Sequence, residues 1–230
     1  MSIYIFKRYE TKYVLTREQY NSILPVISDK LIKEVYNTPF IQSLYYDTDD
    51  YLLIRRSIEK PVYKEKLRLR SYGLNDINKK SFFEIKKKYD GVVYKRRIKI
   101  SEFNTKKFIE ENYSLDSQIG KEIEYMKCLY KGIKPKMLLI YERDAYLGDD
   151  ELRITFDTNV MYRTEDLSLA SGLYGNKLIE EDLILMEVKT PTAIPLWLCK
   201  LLNENKIYKG SFSKYGEAYK KELKEKKIWK

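Results

Sequence analysis

From residue 3 onward the chain alternates polar and apolar positions with a period of two. In IYIFKRYETKYVL, Arg8, Glu10 and Lys12 fall on one face and Tyr9, Tyr13 and Leu15 on the other, as strand residues two apart must. Thr16 has Gln19 three residues on, a capping box that predicts a helix starting in TREQYNSILPVI. QSLYYDTDD (42–50) reads as a strand entering a turn, and YLLIRRS as a short helix or strand. PVYKEKLRLRSYG reads as a strand closed by Gly73. KSFFEIKKKYDGVVYKRRIKI predicts a hairpin, with alternating runs at 81–88 and 92–100 flanking Asp90-Gly91. Residues 104–113 and 116–131 read as helices. The second has Ile119, Ile123, Met126 and Tyr130 at helical spacing before Gly132. Strands follow at 137–148, 151–160 and 183–191, the first two joined tightly through 147–150. AIPLWLCKLLNEN starts an apolar helix and SKYGEAYKKELKEKK a charged one. The result is α+β: about eight mostly antiparallel strands with helices appended. No repeat and no Pro/Gly-rich linker interrupts it, so residues 1–230 are expected to form a single domain.

Composition narrows the chemistry. At 230 residues, 43% hydrophobic and 34% charged, the chain can bury a sizeable core and is expected to be soluble. Its 22 tyrosines favour strands. A net charge of +10 points to an anionic partner. There is no histidine, which excludes Ser-His-Asp and Cys-His catalysis and any His-ligated zinc or haem. Catalysis would have to draw on carboxylates, Lys, Arg, Tyr and a hard cation. Cys128 and Cys199 have no metal-ligand spacing and are expected as buried thiols in a reducing compartment. No stretch approaches the ~20 apolar residues of a membrane span, and MSIYIFKRYETKY lacks a signal-peptide pattern. The expected location is the cytoplasm.

The alternation sorts charge in the same way on strand after strand. Arg8, Glu10 and Lys12 share a face, as do Lys66, Arg68 and Arg70, and Glu84, Lys86 and Lys88. Arg143 follows Tyr141; Arg153, Thr155 and Asp157 alternate, as do Glu187 and Lys189. A solvated outer face would account for any one of these strands. In KLRLR, however, the cations have one sign, and such a row repels unless something anionic sits among them. Strands apolar on the reverse face need cover from the helices. The expectation is a closed barrel with a charged lumen, wide enough for one ligand. Arg and Lys suit phosphate oxygens, and a carboxylate such as Glu187 can hold Mg²⁺ or Mn²⁺. Glu84 could instead pair with Lys86 or a cross-strand arginine. Tyr45, Tyr46, Tyr141 and Tyr146 read as packing, Trp197 and Cys199 as core, and 220–227 as a solvated helix face.

RYETKYVL, YYDT, KLRLRSYG, FFEIKKKYDG, YERDAY, LRITFDT, LMEVKTP and FSKYGEAY stand in the order found in the VTC (vacuolar transporter chaperone) catalytic domain. The chain resembles that family from Arg8 to Tyr219, within the triphosphate tunnel metalloenzymes and their CYTH relatives. The resemblance implies an eight-stranded antiparallel tunnel and transfer of the terminal phosphate of ATP to a growing polyphosphate chain, with Mn²⁺ or Mg²⁺. It implies that Arg68, Arg70, Lys86, Arg143 and Arg153 carry catalysis, and that Lys12, Lys189 and Lys214 hold substrate; Lys66, on the face of the two arginines, is expected to join them by its position alone. Glu187 would hold metal, with Glu10 and Glu84 as auxiliary metal or water ligands. Two positions depart from the pattern. Ser211 stands where polymerases carry a lysine three residues before the one matched by Lys214; Lys209 lies nearby, out of register. Arg8 stands where the hydrolytic CYTH branch has the first Glu of ExExK, which weakens a second metal site and favours the polymerase branch. The alternatives are a triphosphatase acting on tripolyphosphate or a nucleoside triphosphate, and a polyphosphate-binding module without turnover. Duplex nucleic acid is not expected, and any coupling to a membrane would come from a partner.

Overall fold

The computed structural model describes residues 9–35, 38–90, 92–111 and 113–228. In chain order the elements begin with β1 (Tyr9–Thr16), α1 (Arg17–Lys30), β2 (Ile32–Lys33), β3 (Phe40–Asp47) and α2 (Leu52–Ile58). Next come β4 (Tyr63–Tyr72), β5 (Lys80–Tyr89), β6 (Val92–Ser101), α3 (Glu102–Glu110) and α4 (Gln118–Leu129). The chain finishes with β7 (Lys134–Leu147), β8 (Arg153–Arg163), β9 (Asn176–Lys177), β10 (Leu183–Thr190), α5 (Leu196–Glu204) and α6 (Lys214–Ile228). Arg8 and Gly91 lie outside the described residues.

These elements gather into two compact units, and the long strands β7 and β8 contribute to both. The first runs to Pro39 and adds Tyr141–Val160 and Ile179–Ser213. Its strands follow the order β1-β10-β8-β7, with β2 on β7. Thr16 caps α1 as expected: its hydroxyl accepts from Gln19 N–H, and the Gln19 side chain accepts from Thr16 N–H. The odd-numbered residues of β1 turn Tyr13 and Leu15 toward Ile23 and Ile27 of α1 and Leu198 and Leu201 of α5. Ile184, Met186 and Val188 of β10 complete that core.

The second unit holds Phe40–Ile140, Met161–Leu178 and the chain from Lys214. Its order is β7-β3-β4-β5-β6, with β9 on β8, and the β3–β4, β4–β5, β5–β6 and β8–β9 ladders are antiparallel. Leu67 and Leu69 of β4 and Phe83 and Ile85 of β5 bury against Phe108 of α3 and Ile123 and Met126 of α4. The apolar face of KLRLR therefore lies under helices, as the alternation predicted.

The closed barrel is not what the pairings give. Among the described residues no ladder joins β1 to β6. The outer edge of β1 is met instead by an isolated bridge, Lys12 to Gly210. The thiols also differ from expectation, since both are exposed. On α4 the helical period buries Ile123 and Met126 and turns Cys128 outward; on α5 it buries Leu198, Leu201 and Leu202 and leaves Cys199 outside. Trp197 is only partly buried against the core of the first unit, with Lys30 over its ring. Among the described residues no helix is long and apolar enough to cross a membrane.

Candidate functional site

In the second unit, strand register brings the cations together in rows. Tyr45 of β3 pairs with Arg68 of β4, Arg68 with Glu84 of β5, and Glu84 with Arg97 of β6. Along the ladder, Lys66, Lys86 and Lys95 form the next row. Strand partners share a face, so these side chains stand side by side. The anion among them is Glu84, 1% exposed and ion-paired to Arg68 at 2.8 Å, Lys95 at 2.6 Å, and Arg70 and Arg97 at 4.0 Å. Burial alone would raise the Glu84 pKa, but Arg68, Arg70 and Lys95 outweigh it and bring it to about 2. Among the described residues four cations pair with this one carboxylate, so each also lies in the field of the others. Lys95 feels that field: lost hydration first, then Arg68 and Arg70, lower its pKa to about 8 against the pull of Glu84.

Arg68 is held from two sides. Its Nε and Nη2 reach Glu84 at 2.8 Å, and its Nη1 donates to the Tyr45 hydroxyl at 3.0 Å. The Tyr45 ring stacks on Tyr215 of α6, with centroids 4.4 Å apart. Tyr215 donates to Asp47, which also accepts from Thr48, Leu53 and Ile54 N–H and so caps α2. Arg70 donates to Ser43. Lys214 opens α6 and is half-buried.

In the first unit the signs alternate. Lys12 pairs in register with Glu187, and Glu10 with Lys189; Glu187 faces Thr155 and Lys189 faces Arg153. The Lys12 ammonium lies 3.2 Å from Glu10 and 3.6 Å from Glu187, and Lys189 lies 2.5 Å from Glu187. Lys12 also donates to the Phe212 carbonyl. Burial opposes ionisation of Glu187, but Lys189, Lys12 and Arg143 hold its pKa well below the usual carboxylate range. Arg143 sits in a two-pronged hydrogen bond to buried Asp157, Nε at 2.5 Å and Nη2 at 2.7 Å. Arg153 is bound to Glu34 at 2.8 Å. Both arginines are thereby fixed in direction.

A divalent ion can be tested against this geometry. Glu10 and Glu187, 23% and 16% exposed, converge on one ammonium. The buried Thr155 hydroxyl, in register with Glu187, has no hydrogen-bond partner among the described residues. Magnesium-like ions take one or two carboxylates and complete their shell with water and substrate oxygens, so this pair fits. Glu84, only 1% exposed and closed in by its four cations, offers no such open side. Among the described residues no group of three or more His, Cys, Asp or Glu is gathered for a metal.

Sequence reasoning missed Lys95 and Arg97, although counting back across the Asp90 turn puts both on the Glu84 face. It also missed Asp47, Asp157 and Glu34 as anchors, and it read Tyr45 as packing alone.

The VTC domain family model matches residues 7–223, across both units. The chain belongs to the VTC domain family. Vacuolar transporter chaperone complex subunit 4 of Schizosaccharomyces pombe is 28% identical over 213 residues, covering 73% of this chain. This VTC domain spans only 29% of that relative's length. Two solved structures share the fold. One is a candidate adenylate cyclase of Bacillus halodurans, with TM-score 0.56 and 12% identity over 90% of this chain and 95% of that one. The other is a candidate adenylyl cyclase of Hippeastrum with a dominant triphosphatase activity, with TM-score 0.51 and 16% identity over 90% and 92%.

Proposed function

We propose that this VTC domain is a metal-dependent polyphosphate polymerase, transferring the terminal phosphate of ATP to a phosphate chain, with residues 1–230 acting as one module in the cytoplasm. The observation that carries the reading is the cationic row around Glu84, in which Arg68, Arg70, Lys95 and Arg97 gather on one buried carboxylate among the described residues. Family membership and the relation to a VTC complex subunit support it. That relation also makes a complex partner part of the reading.

Phosphoryl transfer asks little covalent work of a protein; positioning and charge stabilisation carry it. Arg68, Arg70, Lys66 and Lys86 would bind phosphate oxygens, and Glu84 and Tyr45 aim the Arg68 fork. Arg143 and Arg153, oriented by Asp157 and Glu34, would add guanidinium charge toward phosphate. Lys12, Lys189 and Lys214 would add charge. Glu187 and Glu10 would hold Mn²⁺ or Mg²⁺, which would supply charge neutralisation to the phosphates. The attacking phosphate oxygen is already ionised at neutral pH, so no histidine base is required.

The test is incubation of purified protein with ATP and Mn²⁺, followed by a polyphosphate gel and a free-phosphate assay. A ladder is expected. Free phosphate without a ladder would instead mark a triphosphatase, and neither product would mark a binding module.

A further inference from the structure

Tyr45 is the one tyrosine of the Glu84 row, and its surroundings are unlike those of a packing residue. It is buried, its hydroxyl accepts from Arg68, and its ring is clamped against Tyr215. We propose that Tyr45 is a proton-linked positioning residue, whose phenol aims the Arg68 guanidinium and takes up a proton when a phosphate chain binds the Arg68–Arg70 row. The inference rests on the reading of that row as a phosphate site.

The groups around Tyr45 set the direction of the coupling. From β4 come Arg68, Lys66 and Arg70; from β5, Glu84 faces it through Arg68; from β6, Lys95 and Arg97 stand beyond Glu84. From α6 comes Tyr215, whose own pKa is raised, by burial first and by Asp47 of β3 second. Tyr215 therefore keeps its proton. On β7 of the same unit, Lys134 and Lys136 are engaged with Asp49. Burial favours the neutral Tyr45 phenol, yet Arg68, Lys66 and Arg70 together bring its pKa down to about 7. In the unliganded protein the phenolate then competes with phosphate for Arg68 as pH rises. A bound polyanion cancels the cations that stabilise the phenolate. The phenolate oxygen takes a proton from solvent, and the neutral phenol still accepts the Arg68 hydrogen bond.

The experiment is a pH titration of tyrosinate near-ultraviolet absorbance on the full chain, with and without saturating tripolyphosphate, in wild type and Tyr45→Phe. A single-tyrosine step near pH 7 is expected in wild type. Tripolyphosphate should move it to higher pH, and Tyr45→Phe should lack it. Tripolyphosphate affinity, measured by calorimetry, should fall by up to about tenfold per pH unit above that step. Tyr45→Phe should lose the part of the fall that begins there and keep the part due to Lys95, which titrates near pH 8. Lys95→Met should keep the absorbance step. Normal binding with an unmoved step, or a step that survives in Tyr45→Phe, would overturn the role of Tyr45 and leave the phosphate site standing. No binding at any pH would overturn both. The wild-type step and its shift decide the matter even if the variant folds poorly.

Discussion

Glu84 is the residue on which the second unit's charges depend. A buried carboxylate paired with several cations is costly to remove, because the cations are left facing one another. Glu84→Gln should destabilise the protein by about 3 to 5 kcal/mol at neutral pH, read from denaturant midpoints. The pH dependence has a definite sign. The folded pKa, about 2, lies below the ordinary glutamate value of 4.5. Its contribution is thus present above pH 4.5 and is lost as pH falls toward 2. That loss should amount to roughly 3 kcal/mol in wild type and be missing from Glu84→Gln. An equal acid slope in both proteins would show that Glu84 is not ionised in the fold. In the first unit, Asp157→Ala should leave Arg143 buried without its partner. It should lower turnover at least as much as Arg143→Lys, which keeps the charge but loses the fork.

Among the elements, α2 depends most on a distant residue. Its N-cap, Tyr51, is left-handed and offers no side-chain cap. The first-turn N–H groups are satisfied instead by Asp47, at the end of β3, and by the Thr48 hydroxyl. Asp47→Ala should therefore loosen α2 and the start of α6 together, at a cost of about 3 kcal/mol. Amide exchange should speed up at Leu53 and Ile54 more than in α4, and unchanged exchange there would contradict the capping role. This also explains why the sequence left YLLIRRS (51–57) undecided between helix and strand: the cap lies outside the local capping pattern. Other elements were legible where their signals are local. Thr16 with Gln19 marks α1, period-two alternation marks β4 to β6, and the helical period marks the buried residues of α4. The cations of β4 and their shared face were equally legible. The pairing of Glu84 with a cross-strand arginine was one of the alternatives the sequence offered. The two-residue strands β2 and β9 and the open ladder were not legible, since each depends on contacts between segments far apart in the chain. The exposed thiols were misread because apolar neighbours on a helix do not place every residue on its inner face.

For the whole molecule, the +10 charge and the absence of histidine make cation–phosphate attraction the main source of binding and rate in the proposed reaction. Tripolyphosphate affinity should fall steeply as salt rises from low to physiological levels, because the contacts are mostly charge on charge. Binding indifferent to salt would argue for a neutral ligand. The most direct measurement is the rate of polyphosphate formation from ATP and Mn²⁺ in wild type, Arg68→Ala and Glu187→Ala, with folding verified by circular dichroism. Each variant should lose about 100- to 1,000-fold, the scale of removing one preorganised charge-stabilising group from a transition state. Folded variants that both turn over within a few fold of wild type would contradict the account.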